Sequence, residues 1–177
     1  MGILVCLRLR AVPNKARCLP MMKAEPHPPA SGWFEDRAHV FPVRVYYEDT
    51  DFSGRVYHAS YLRFMERGRS EFLRDAGVQH AGLLRGEDPL AWVVRRMAIE
   101  FLRAAEIDDA LQVRTRVVEL GGARMRLAQS VSRAIAGKSA GDVVKADVEV
   151  CLVTLRGRAR RVPDAVRKKL QSFAGSR

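Results

Sequence analysis

The run Val45-Tyr46-Tyr47-Glu48-Asp49-Thr50-Asp51-Phe52-Ser53-Gly54-Arg55-Val56-Tyr57-His58 constrains this chain most. An apolar, aromatic stretch meets paired acids. A glycine turn follows, then a histidine at the threshold of a segment with helical spacing. Gly54 is free to take a positive φ angle, so the chain can loop tightly there. This order sets the carboxylate of Asp51 near the free N–H groups that begin a helix. A carboxylate can attack an electrophile or abstract a proton, and helix-start N–H groups stabilise negative charge growing on oxygen. The combination suits hydrolysis of an activated acyl group.

Periodicity supplies the elements around this run. His39–Glu48 reads as a strand, with Val43, Val45 and Tyr47 alternating against Arg44 and Tyr46. Pro42 suits an edge or a strand start. From about residue 59 to 76, Tyr61, Met65, Gly68, Phe72 and Ala76 recur at helical spacing, and charged residues hold much of the remaining surface. Arg67 and Glu71 are spaced as an i,i+4 pair. Gly68 costs about 1 kcal/mol against alanine inside a helix. Its place on the apolar face predicts a sheet packed closely against it. Residues 80–87 form a short connection. Strands are then expected at Leu90–Leu102, Leu111–Leu120, Arg124–Ala134 and Val143–Leu155, with turns at Gly121-Gly122 and Gly137–Gly141. Pro163 opens a final helix over about 164–173. Consecutive strands joined by short turns predict an antiparallel sheet, and the long helix must bury its apolar face on it. The expected class is α+β with one central helix.

The chain has 177 residues, enough for one domain with a hydrophobic core. Residues 1–38 read as an N-terminal extension, disordered or left by a mis-assigned start, since Met21-Met22 offers a second start. Residues 39–177 read as the domain. Arginines interrupt the apolar run at residues 1–10, which weighs against a signal peptide, and no stretch is long and apolar enough to span a membrane. Cys6, Cys18 and Cys151 form no metal-ligand spacing and no even framework, so a reduced, cytosolic setting is expected. Cys151 reads as buried filler rather than a nucleophile. The net charge of +11 favours anionic partners.

Tyr-Tyr-Glu-Asp-Thr-Asp-x-x-Gly-x-Val-Tyr-His-x-x-Tyr-Leu-x-Phe-x-Glu-Arg-x-Arg-x-Glu, from Tyr46 to Glu71, resembles the hot-dog-fold acyl-CoA thioesterases of the 4-hydroxybenzoyl-CoA thioesterase superfamily, within them the Tol–Pal-associated, YbgC-type group. The similarity continues through Trp92–Phe101 and Ala104–Asp109 and covers about residues 40–170. It implies an antiparallel sheet curled around the long helix, a homodimer or homotetramer, and active sites between subunits. It implies an acyl-CoA substrate and no cofactor or metal. Asp51 matches the catalytic carboxylate, Tyr47 and His58 match positions associated with the site, and the N–H near His58 matches the carbonyl-polarising donor. Gly54, Val56, Tyr57 and Glu66 are candidate substrate-binding residues by their place in the signature, and Arg95 and Arg96 are candidates for coenzyme A phosphates. The resemblance also brings acyl carrier protein and phospholipid-synthesis proteins into view as partners. It places the protein in the cytoplasm or at the inner membrane's periphery.

Each residue also has a plainer reading. Asp51 alone could be a turn-capping acid. Asp49 reads as structural. Glu48, Asp49 and Asp51 lack the further acids that a hard-metal site would need. His58 is either a substrate contact or a helix-start hydrogen-bonding group, and Tyr47 is either a site residue or core. Glu66 could be a solvated helix acid, and Arg95 and Arg96 solvated strand residues. Trp92 and the phenylalanines read as core rather than a stacking platform. A thiol leaves easily because its pKa is near 8.5, so one carboxylate plus an oxyanion donor can suffice without a Ser-His-Asp triad. Two other functions compete. One is a hot-dog enoyl-CoA hydratase or dehydratase. The other is a non-catalytic binder of anionic partners, although no nucleic-acid recognition motif is present and none is expected as partner.

Overall fold

Eighteen residues, His58–Asp75, form the central helix α1, and its apolar stripe is what the rest of the molecule covers. Tyr61, Phe64, Met65, Gly68, Phe72 and Leu73 are buried along one face. Full burial of a side chain the size of phenylalanine is worth about 1.5–3 kcal/mol, so this stripe fixes which way the helix faces. The computed structural model describes residues 30–86 and 88–175. The possible start at Met21-Met22, the arginine-interrupted opening run, Cys6 and Cys18 lie outside the described residues.

Six strands form one antiparallel sheet: β1 (Trp33–Glu35), β2 (Ala38–Arg44), β3 (Leu90–Phe101), β4 (Ala110–Leu120), β5 (Arg124–Ile135) and β6 (Lys138–Thr154). Their order across the sheet is β1-β2-β4-β5-β6-β3, so β3 is an edge. One face presents Val113, Val117, Met125, Leu127, Val131, Val144, Val148 and Val150 to the core shared with α1. Lys145 and Asp147 alternate outward, as the period of a half-buried strand requires. Two short helices complete the chain: α2 (His80–Leu84) and α3 (Asp164–Gln171). The expected α+β hot-dog arrangement, a sheet around one long helix, is what forms.

Gly68 lies where α1 crosses β4. A Cβ added there would stand 2.7 Å from Val113 Cγ1, so the close approach predicted from the sequence is real. No helix among the described residues is long and apolar enough to cross a membrane.

Several boundaries differ from expectation. The strand expected over His39–Glu48 is β2, Ala38–Arg44, and Tyr47–Asp49 is a 3₁₀ turn. The reason is pairing. Arg44 is opposite Ala110, the first residue of β4, and pairing carries on only through Val45, whose N–H donates to Asp109 O at 3.0 Å and whose carbonyl accepts from Asp108 N–H at 3.2 Å, before Asp108, at φ +66°, turns the partner chain away. β1 precedes the expected domain start at His39. β6 begins at Lys138 rather than Val143, because Ala136 and Gly137, both at positive φ, close a tight hairpin pairing Ile135 with Lys138. Glu71 pairs with Arg74 rather than Arg67. Cys151 is buried, as expected.

Candidate active site

Asp51 opens a small loop that folds back on itself. Its main-chain N–H donates to Arg55 O at 2.9 Å, and its carbonyl accepts from Gly54 N–H at 3.0 Å. Gly54 has φ +75°, the left-handed conformation this closure needs. Thr50 and Val56 form an antiparallel bridge across the loop. Tyr57 N–H then reaches Asp49 O at 2.9 Å, and α1 starts at the next residue. Six residues separate Asp51 from His58, yet the bridge holds the two ends of the loop side by side.

The Asp51 side chain is exposed and locally oriented. Its Oδ1 accepts from Ser53 N–H at 2.8 Å and from the Ser53 hydroxyl at 2.6 Å. Those bonds hold its carboxyl below the usual carboxylate range, the hydroxyl contributing most, then the N–H, with the charge of Arg55 adding to them. Asp51 is therefore ionised at neutral pH. Ser53 was not singled out from the sequence. The cue was present, because an aspartate two residues before a serine is a common side-chain-closed turn.

α1 begins without a side-chain cap. Tyr57 occupies the capping position, where serine, threonine, aspartate or asparagine would usually accept from the helix-start N–H groups. Ser60 N–H bonds to Tyr57 O at 2.8 Å. Among the described residues nothing accepts from the N–H groups of His58 and Ala59. Two aligned donors and the positive end of a helix dipole are thus available to an oxyanion. The His58 ring lies exposed, 4.3 Å from the Tyr57 ring centroid and 6.4 Å from that of Phe101 on β3.

A second loop braces this corner. Val56 N–H donates to Ala105 O at 2.8 Å, and Ala105 N–H donates to the buried Tyr61 hydroxyl at 3.0 Å. Arg55 and Glu106 form a further bridge. Ala105 and Tyr61 are structural partners that sequence spacing could not reveal, since 44 residues separate them.

The other candidates divide. Asp49 is buried and accepts from Tyr46 N–H at 3.0 Å, which fits its structural reading. Val56 is buried under the loop, and Tyr57 is half exposed beside His58. Tyr47 does not continue a strand. It sits in the 3₁₀ turn with 84% of its surface exposed, so it is not core. Arg95 is paired with Glu149 at 2.5 Å, and Arg96 points to solvent from β3. Glu66 is exposed on α1 and accepts from the Ser70 hydroxyl at 2.8 Å. Among the aromatic residues expected in the core, Phe64 and Phe72 are fully buried, whereas Phe52 is fully exposed beside Asp51 and Phe101 half exposed beside His58. No cluster of three or more His, Cys, Asp or Glu side chains among the described residues could hold a metal ion.

An antiparallel sheet wrapped on one long helix is the architecture of the hot-dog thioester hydrolases, and here a carboxylate sits in the loop that leads into an uncapped helix start. Residues 45–170 match the family model of the thioesterase-like superfamily, and the chain belongs to that family. The "Acyl-CoA thioesterase YbgC" of Haemophilus influenzae is 49% identical over 98 residues, which cover 55% of this chain and 71% of that protein. The "Acyl-CoA thioester hydrolase YbgC" of Escherichia coli O6:H1 is 42% identical over 94 residues, covering 53% and 69%. A Bartonella henselae structure described as "Probable Thioesterase" is 48% identical, with a TM-score of 0.65 over 71% of this chain and 99% of that one.

Proposed function

We propose that the protein hydrolyses an acyl-CoA thioester to the free acid and coenzyme A, with Asp51 as the catalytic carboxylate. The observation that carries this reading is the Asp51–His58 loop: an oriented carboxylate, held below its usual range, in a bridged loop that leads into two helix-start N–H groups with no other acceptor. The similarity to named acyl-CoA thioesterases supports the substrate class. The thioester oxygen lies against the N–H of His58, which polarises the carbonyl and holds the charge that develops on it. Asp51 acts on the carbonyl carbon, either by direct attack to give an anhydride or through a water whose proton it takes. The C–S bond then breaks, and the thiolate leaves without needing much proton assistance. Single-turnover hydrolysis in oxygen-18 water separates the two routes. An unlabelled first-turnover acid means attack by Asp51, and a labelled one means activated water.

The working unit is a homodimer or a multiple of it, joined along the edge strand β3. That edge carries exposed apolar residues, Val93, Val94 and Phe101, which a second copy would cover. Tyr57 and His58 contribute to substrate contact at the subunit boundary, with Gly54 and Val56 shaping the loop. The resemblance supports a cytoplasmic setting near Tol–Pal and phospholipid metabolism, with acyl carrier protein as an acyl donor.

Thiol release over an acyl-CoA panel, with Asp51→Asn beside the native chain, tests the reading. The substitution removes the charge and keeps the shape. It should lower kcat by at least about 100-fold, the ordinary scale of a lost acid–base group, with KM little changed. Full activity in Asp51→Asn would move the catalytic role elsewhere. Hydration of an enoyl-CoA with no thiol released would replace the hydrolase by a hydratase.

A further inference from the structure

Beneath the second half of α1, against the edge strand, lies a cavity of about 90 Å³ lined by Glu66, Arg69, His80, Trp92, Val94 and Leu127 among others. It lies outside the Asp51 loop. A single water needs roughly 10–15 Å³ of such space, so the cavity admits a group of several heavy atoms rather than one solvent molecule.

Two of its ring nitrogens are unmatched. Trp92 Nε1 and His80 Nε2 are both buried and bond to nothing among the described residues. An indole N–H can only donate, and a buried donor without an acceptor is costly to leave unmade. Arg69, partly buried in the same wall, donates to the neutral Gln129 Oε1 at 2.8 Å rather than to a carboxylate. Gln129 is itself fixed by bonds to Met65 O and Thr115 Oγ1, so Arg69 is held in place. Glu66 and Ser70 bond to each other, and the rest of the lining, Val94, Leu127, Phe72 and Leu73 among it, is apolar. A largely apolar slot with an unused indole donor, and an imidazole nitrogen free beside it, fits a hydrocarbon group that ends in an oxygen acceptor.

The cavity is also placed to meet the substrate. Val94, at its rim on β3, is 47% exposed and faces the sheet edge. α1 runs antiparallel to β3, with Phe101 beside His58 and Trp92 beside the second half of the helix. If two copies pair their β3 edges about the middle of the strand, the Trp92 end of one lies beside the Phe101 end of the other. The cavity of one subunit then opens next to the partner's helix start, where the thioester is held.

We propose that this cavity receives the far end of the acyl group and selects acyl-CoAs bearing a hydrogen-bond-accepting oxygen there, with Trp92 and His80 as specificity-determining residues. This rests on the acyl-CoA hydrolase reading and adds the class of acyl group. Trp92 N–H supplies the directional bond, His80 a second polar contact whose direction follows its tautomer, and Arg69 the positive field.

The test uses the full chain and acyl-CoAs matched in length that end in a methyl, a hydroxyl or a carboxylate, together with an aryl pair with and without a ring hydroxyl. The oxygen-bearing member should exceed its methyl or unsubstituted counterpart in kcat/KM by about tenfold or more, since a site with polar groups left unpaired rejects the analogue that lacks the oxygen. Gain for the hydroxyl alone identifies a neutral acceptor, and gain for the carboxylate as well identifies Arg69 as a partner. Trp92→Phe, which keeps a ring and loses the donor, should bring the ratio down toward one, and His80→Leu should reduce it. Thermal unfolding of each variant checks folding. Binding of the same series to Asp51→Asn reads the preference without turnover. Equal kcat/KM across matched pairs, or a preference unchanged in both variants, overturns the proposal and leaves the hydrolase reading intact. Failure of every acyl-CoA to release thiol overturns both.

Discussion

At the scale of single residues, the two aspartates of the Asp49-Thr50-Asp51 sequence show how position divides one chemistry into two jobs. Asp49 is buried and spends its carboxylate on the Tyr46 N–H. Asp51 is exposed, and Ser53 occupies only its Oδ1. The hydroxyl of Ser53 is the largest influence holding the Asp51 carboxyl below its usual range. A prediction follows from the sign of that shift. On the role proposed for Asp51, the ionised form is the active one and persists above the folded-state pKa, so activity should be lost as pH falls through that value. Ser53→Ala removes the hydroxyl bond and keeps the N–H bond, which moves the Asp51 pKa upward. The acid limb of the kcat/KM profile should therefore move to higher pH in Ser53→Ala, with the basic limb unmoved. Superimposable acid limbs in the two proteins would separate the titration of Asp51 from Ser53.

At the scale of elements, α1 is placed by a single close contact. A methyl group at residue 68 would meet Val113 Cγ1 at 2.7 Å, well inside ordinary contact. Alanine gains up to about 1 kcal/mol of helix propensity over glycine, but overpacking in a filled core costs about 1–3 kcal/mol. Gly68→Ala is expected to be destabilising by about 1 kcal/mol, and Gly68→Val by more, since valine is bulkier and loses rotamer freedom in a helix. For a domain of this size that is a fall of about 2–4 °C in Tm per kcal/mol, measured by thermal unfolding. A rise in Tm for Gly68→Ala would mean that Val113 yields freely. This packing was legible in the sequence because glycine has no other reason to interrupt an apolar helix face. The end of β2 was not. Val43, Val45 and Tyr47 keep an alternating pattern past Arg44, but the neighbouring chain turns at Asp108 and its last bonds are to Val45.

At the scale of the whole molecule, one copy leaves the outer edge of β3 unpaired and Asp51 open to solvent. Sedimentation should give at least twice the 19.9 kDa mass of the chain. Val93→Lys puts a charge on that edge, a common device against edge pairing. It should shift the protein toward monomer and lower kcat/KM in step. A native monomer with full activity would remove the subunit boundary from the mechanism. The sequence by itself determined the class of fold, the tight loop that carries Asp51 and the buried stripe of α1, because periodicity and a short contiguous motif are local and survive reading in one dimension. It left unresolved where strands stop, which arginines are already paired and which exposed aromatics stand beside His58. Tertiary structure decided those, and it alone brought Glu66, His80 and Trp92 to one cavity. Hydrogen-bond partners and shared walls depend on which distant segments meet, and no spacing along the chain encodes that.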